Sequence, residues 1–232
     1  MPLHGRGRIL SRSHLQIQNW GLIDYNEALQ RQQELQAMRI AGEHGDVLIL
    51  VEHPPVVTLG LRGGNDDLRF SAAAIGQSGV ALHHINRGGY ATAHEPGQLV
   101  AYPIVRLPKK DLRWYSQLFL QSLAETLADY ELRAEFRDGE PGLWVNGSKI
   151  ASFGIAVKKW VSSHGIALNV NNDLSTFDMI VPCGKPTESV TSMTREIGRR
   201  LDMNEVADRF VDHFCALFNY SPKLEKELSV DI

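Results

Sequence analysis

An Asn146-Gly147 pair, followed by Ser148, separates the apolar run Leu143-Trp144-Val145 from a longer run that starts at Lys149 and continues through Ile150-Ala151-Ser152-Phe153-Gly154-Ile155-Ala156-Val157. An Asn-Gly pair readily adopts the positive φ values of a two-residue hairpin loop, so the two runs are predicted to be adjacent antiparallel strands. A third run, His164-Gly165-Ile166-Ala167-Leu168-Asn169-Val170, follows closely and reads as another strand. At least part of any sheet in this chain is therefore antiparallel.

Other segments add helices and further strands. Tyr25, Ala28, Leu29, Leu35 and Met38 form a broken apolar stripe that predicts a helix from Ile23 to about His44. Leu112, Tyr115, Leu118, Phe119, Ser122, Leu123, Thr126 and Leu127 recur at helical spacing and predict a second helix from Asp111 to Tyr130. A last helix is predicted from about Asn204 to Phe218, with the option that it forms a small C-terminal lobe. Short strands are expected at 47–53, after the prolines at 54 and 55, at 82–85 and at 99–105. The segment 173–180 reads as a short helix with Asp173 as N-cap. Residues 1–14 hold Arg6, Arg8 and Arg12 and read as a flexible basic tail, with a transit peptide as the alternative. With no repeat and no linker, the 232 residues are read as one α+β domain, a mixed sheet packed with helices.

Composition narrows the function classes. A formal net charge of −3 argues against a nucleic-acid or membrane partner. No apolar run approaches the roughly 20 residues of a bilayer-spanning helix. Two cysteines are too few for a disulfide scaffold, so a reducing compartment, the cytoplasm, is expected.

Those two cysteines differ in context. Cys215 sits in an amphipathic helix and reads as core. Cys183 sits in Val181-Pro182-Cys183-Gly184-Lys185-Pro186, a tight loop in which small neighbours would let a carbonyl approach. An unperturbed thiol, with a pKa near ~8.5, is only about 3% thiolate at neutral pH, so a reactive Cys183 needs a nearby cation. Lys149, Lys185, Arg87 and several histidines are the candidates. Lys149 has two readings: an edge-strand gatekeeper with its amine in water, or an ammonium beside the sulfur. The stretch Arg87-Gly88-Gly89-Tyr90-Ala91-Thr92-Ala93-His94-Glu95-Pro96-Gly97-Gln98 reads either as a polar turn or as a ligand loop with close backbone approach. His164 alone could be a satisfied turn histidine, and His83, His84 and His94 lack metal-ligand spacing.

Taken in order, these segments resemble the lipoate-protein ligase B family, the lipoyl(octanoyl) transferases. The resemblance covers most of the chain and includes the opening Trp20-to-Gln32 stretch and the 51–60 segment. It implies a catalytic domain of the biotin/lipoate protein ligase type. It also implies transfer of octanoyl from octanoyl-acyl carrier protein to a lysine of lipoyl domains in 2-oxoacid dehydrogenase complexes or the glycine cleavage H protein. No ATP and no metal are implied. Cys183 matches the cysteine that carries the acyl thioester, and Lys149 the lysine that lowers its pKa. Arg87 to His94, Ser152-Phe153-Gly154 and Gly165-Ile166-Ala167 match stretches that line the acyl site. The chain departs from the family pattern at Tyr90, Ala91 and Glu95. Lys109, Lys110, Arg113, Lys158, Lys159, Arg195, Arg199 and Arg200 are candidates for a basic face toward an acidic carrier. An ATP-dependent ligase of the same fold, a cysteine hydrolase and a non-enzymatic binder of lipoyl domains or carrier proteins are the rival readings.

Overall fold

Strands buried on both faces read as continuous apolar runs rather than alternating ones, and the 47–51 segment is of this kind: each of its five residues is buried. The computed structural model describes residues 12–181 and 187–224. In chain order the elements are β1 (Ser13–Leu22), α1 (Tyr25–Ala41), β2 (Asp46–Glu52), β3 (Val56–Leu59), α2 (Ala72–Gln77), β4 (Ala81–His84), β5 (Ala91–His94) and β6 (Gln98–Ile104). They continue with α3 (Leu112–Ala128), β7 (Glu135–Arg137), β8 (Glu140–Val145), β9 (Ser148–Lys158), β10 (Val161–Asn169), α4 (Met193–Ile197), α5 (Met203–Phe218) and β11 (Tyr220–Leu224).

Among the described residues, eight strands form one sheet in the order β11-β1-β2-β6-β10-β9-β8-β7, and three form a second in the order β4-β3-β5. The large sheet is mixed: β1 pairs in parallel with β11 and β2, while β2–β6, β6–β10, β10–β9 and β9–β8 are antiparallel. Alternate residues of β2 go to opposite faces. Leu48 and Leu50 pack with Tyr115, Phe119 and Leu123 of α3 and with Phe210 and Phe214 of α5. Val47, Ile49 and Val51 pack with Ala28, Leu35 and Ile40 of α1. Helices therefore cover both faces, as the α+β reading requires. No helix among the described residues is long and apolar enough to cross a membrane.

Several expectations change. β1 begins at Ser13, inside the stretch read as a tail, and lies within the large sheet between β2 and β11. Ala91–His94 is a fully buried strand rather than part of a polar loop. The 173–180 segment holds a 3-10 helix, Ser175–Met179, whose N-cap is Leu174 at φ 73°, while Asp173 accepts the Ser175 N–H at 2.9 Å. The last helix is no separate lobe. Its phenylalanines at 210, 214 and 218 recur every fourth residue and join the core under the large sheet.

Phe214 lies at the centre of that cluster. Its ring centroid is 5.5 Å from Phe119, 5.9 Å from Phe210 and 4.5 Å from Phe218, and it stacks on Tyr220 at 6.3 Å. Truncating a fully buried Phe in such a cluster costs about 3–5 kcal/mol. Phe214→Ala is expected to lower the urea unfolding free energy by that amount, and a loss below about 1 kcal/mol would show that α5 is not part of the core.

Candidate active site

Where the two sheets meet, a cavity of about 210 Å³ opens, lined by residues of β5, β6, β9, β10, the loop at 87–90 and the start of β8 with Gly139 before it. The loop at 87–90 reaches the wall because glycines remove the side chains that would block it. Gly154 on β9 pairs with Gly165 on β10. A Cβ on Gly154 would sit 2.8 Å from Gly88 O, and one on Gly165 would sit 2.0 Å from Ala101 O. Gly88 donates its N–H to Ile155 O at 3.1 Å, which docks the loop on β9. Gly89, at φ 96°, makes the turn that follows.

Arg87 is a staple inside this loop. Its guanidinium donates to Gly88 O and Tyr90 O, both at 3.0 Å, and to Thr58 O and Thr58 Oγ1, both at 2.8 Å. It thereby ties the loop to β3. Thr92 Oγ1 donates to Ser152 Oγ at 3.1 Å, a direct link between β5 of the small sheet and β9 of the large one.

Lys149 occupies the opposite wall. β9 is an interior strand between β8 and β10, and the lysine is only 4% exposed, so the edge-gatekeeper reading is overturned. The residue lines the cavity, and its amine donates to Pro141 O at 3.1 Å and lies 4.9 Å from the Trp144 ring centroid.

Imidazoles and phenols gather on one side of the cavity, with Tyr25, His94, Tyr102 and His164 among its lining residues. Tyr25 stacks on His94 and His83, with ring centroids 5.8 and 5.7 Å away. His53 donates from Nδ1 to Ile23 O, which leaves Nε2 to accept the Tyr102 hydroxyl; both contacts are 2.9 Å. His94 Nδ1 donates to Gln98 Oε1 at 2.8 Å, because the Gln98 amide nitrogen already donates to Ala93 O and Asn169 Oδ1. His164, at φ 56°, donates from Nε2 to Asn86 Oδ1 at 2.9 Å. Burial pushes His94 down to about 3 and His164 down to about 4, with the Arg87 charge adding to both, and burial also lowers His53. These rings are neutral at physiological pH.

Of the residues expected at the site, Arg87, Gly89, Tyr90, Ala91, Thr92, His94, Lys149, Ser152, Phe153, Gly154, Gly165, Ile166 and Ala167 line the cavity. Gly88 and Ala93 are not among the lining residues; they support the wall from behind through backbone contacts. Cys183 lies outside the described residues, as does Lys185. Sequence reasoning missed Tyr25, Arg62, Tyr102, His164, Gly139 and the first two residues of β8, Glu140 and Pro141. Arg62 at the rim places its guanidinium 4.7 Å from the Tyr90 ring centroid. Glu95, the most unusual departure, is not a lining residue. Its buried carboxylate accepts from Asn172 Nδ2 at 2.8 Å, Leu174 N at 2.7 Å and Thr176 N at 2.9 Å, and so caps the turn into the 3-10 helix.

Buried neutral histidines make stability depend on pH with a definite sign. Unfolded, each takes up a proton near pH 6.5; folded, it does so only well below that value. Stability is therefore complete above about 6.5 and falls as pH drops, by about 2 kcal/mol per fully buried histidine at pH 5. His94→Gln is expected to lose less stability than the wild type between pH 7.5 and 5.0 in urea titrations. An equal loss would show that His94 is not held neutral.

Residues 24–215 match the family described as the lipoyl protein ligase A/B catalytic domain. The chain is 44% identical to an octanoyltransferase of Roseiflexus sp. (strain RS-1) over 213 residues, which covers 90% of this chain and 89% of that one. It is 43% identical to an octanoyltransferase of Solibacter usitatus, covering 88% and 93%. Among solved structures, lipoate-protein ligase A bound with ATP superposes with a TM-score of 0.70 at 16% identity, over 93% of this chain and 90% of that chain. A biotin protein ligase from Aquifex aeolicus in complex with biotin and ATP superposes with a TM-score of 0.55 at 12% identity, over 88% and 70%. These likenesses establish the fold, and the closer relatives establish the family: the chain belongs to the lipoate-protein ligase B family of acyltransferases, within the lipoyl protein ligase A/B catalytic domains.

Proposed function

We propose that the chain transfers an octanoyl group from octanoyl-acyl carrier protein, through a thioester on Cys183, to a lysine of a lipoyl domain. The observation that carries the reading is a buried lysine that lines a partly apolar cavity, in a chain whose relatives are octanoyltransferases. Phe153, Ile166, Ala91 and Ala167 supply apolar wall for the acyl chain. At ~0.8 kcal/mol per buried CH₂, about six methylenes give roughly 5 kcal/mol of binding.

The chemistry balances without ATP. The Cys183 thiolate attacks the thioester carbonyl, the bond to the carrier's thiol breaks, and the Lys149 ammonium gives that thiol its proton. The now neutral Lys149 takes a proton from the attacking amine of the acceptor lysine. The amide forms, and the Cys183 sulfur leaves as a thiolate beside the restored ammonium. Exchange of one thioester for another is near-neutral, and thioester to amide is downhill.

The stretch that follows Cys183 in the chain supports this reading. Val181 donates its N–H to Asp67 O at 2.8 Å, and Ser189 O accepts the Lys149 N–H at 2.8 Å. Ser189, six residues after Cys183, is thus bonded to the Lys149 backbone itself, and six residues of chain span at most about 22 Å.

Intact-mass spectrometry after incubation with octanoyl-carrier protein is expected to show an octanoyl adduct on the wild type and none on Cys183→Ser. Lys149→Ala is expected to slow adduct formation by about a hundredfold or more. An adduct that persists in Cys183→Ser would overturn the thioester assignment. Product formed from free octanoate and ATP would favour the adenylate route of the ligases.

A further inference from the structure

We propose that Gly142, Trp144 and Glu188 are positioning residues that form a seat for the Lys149 amine. The inference rests on Lys149 acting in the transfer, as proposed above, and extends it to three residues to which no role has been given.

Trp144 on β8 pairs directly with Lys149 on β9. Directly paired residues project their side chains to the same face of a sheet. One step earlier Leu143 pairs with Ala151, so the register slips by one residue at Ile150, a β-bulge that re-aims the lysine. The amine then meets the indole face and the Pro141 carbonyl.

Its path crosses the α-carbon of Gly142. A Cβ there would lie 2.7 Å from Lys149 Cε, 3.1 Å from Nζ and 2.4 Å from Ala151 O, and Gly142 has φ 149°. Only glycine leaves both the conformation and the room. The indole is fixed at its edge: Nε1 donates to Glu188 Oε1 at 2.8 Å. Glu188 also pairs with Arg137 at 3.3 Å, and the Arg137 guanidinium lies 4.5 Å from the same ring. A buried ammonium is costly unless fixed dipoles or charges offset its lost hydration. The carbonyl, the π face and the glycine gap hold it at one point on the cavity wall. Glu188 belongs to the stretch whose backbone also brackets Lys149, since Lys149 donates to Ser189 O and accepts from Thr191 N.

Displacing a reacting group by about 1 Å can cost up to about a hundredfold in rate. Gly142→Ala and Glu188→Ala are therefore expected to lower kcat for octanoyl transfer by about tenfold or more, with KM for octanoyl-carrier protein within about twofold of wild type. Glu188→Gln keeps an oxygen for the indole N–H and is expected to restore most of kcat. Competitive labelling of lysine amines with acetic anhydride reads the seat without catalysis: Lys149 labelling should rise in Gly142→Ala and Glu188→Ala and stay near wild type in Glu188→Gln. Wild-type labelling in both alanine variants would overturn the seat. Raised labelling with wild-type kcat would overturn its link to catalysis. Wild-type transfer by Lys149→Ala would instead remove the functional reading on which the proposal rests.

Discussion

A charged amine held below the surface against a carbonyl and an indole face is the arrangement on which the site depends. It needs an interior strand, a register slip that aims Lys149 at the cavity, and a glycine opposite its alkyl chain. The Asn146-Gly147 turn makes β8 and β9 adjacent, and the bulge two residues into β9 turns adjacency into a specific contact. A surface lysine contributes little beyond solubility, whereas a buried one is retained only where neighbours offset its desolvation.

The opposite wall is built by a different device. Backbone there approaches backbone, because Gly154 and Gly165 face one another and Gly88 docks on the gap. Arg87 lines the cavity and also acts as a staple, since its guanidinium donates to Gly88 O, Tyr90 O, Thr58 O and Thr58 Oγ1. The imidazoles of His53, His94 and His164 and the Tyr102 phenol form a polar wall tied together by hydrogen bonds to Ile23 O, Gln98 and Asn86. In the proposed reading, a wall of this kind would leave the acyl chain to bind by burial.

Much of this was legible in the sequence, for identifiable reasons. β2, β6, β9 and β10 are apolar runs with strong turn signals, and α3 and α5 have clear helical spacing. β1 was missed because polar residues such as Gln16, Gln18 and Asn19 interrupt its apolar ones, and it is held by pairing with β2 and β11 rather than by its own pattern. β5 was hidden inside a stretch whose glycines, proline and polar residues outweigh four buried positions. Thirteen of the expected site residues line the cavity because motif segments run along it. Tyr25, Tyr102 and Arg62 escaped notice because each arrives from a separate element and belongs to the site only after the sheets pack. The burial of Lys149 was not legible either, since a bulge register cannot be read from residue types. Glu95 looked like a departure at the acyl site and proves to be a cap for the turn at 172–176, turned toward backbone donors.

The central claim is that the Lys149 ammonium stands beside the Cys183 sulfur and holds it as a thiolate. The pH dependence of Cys183 alkylation by iodoacetamide, followed by peptide mass spectrometry in the wild type and in Lys149→Gln, tests it most directly. The account predicts a wild-type midpoint at least about one unit below the free-thiol value of ~8.5, and a midpoint at or above that value in the variant. A midpoint near ~8.5 in both proteins would contradict it.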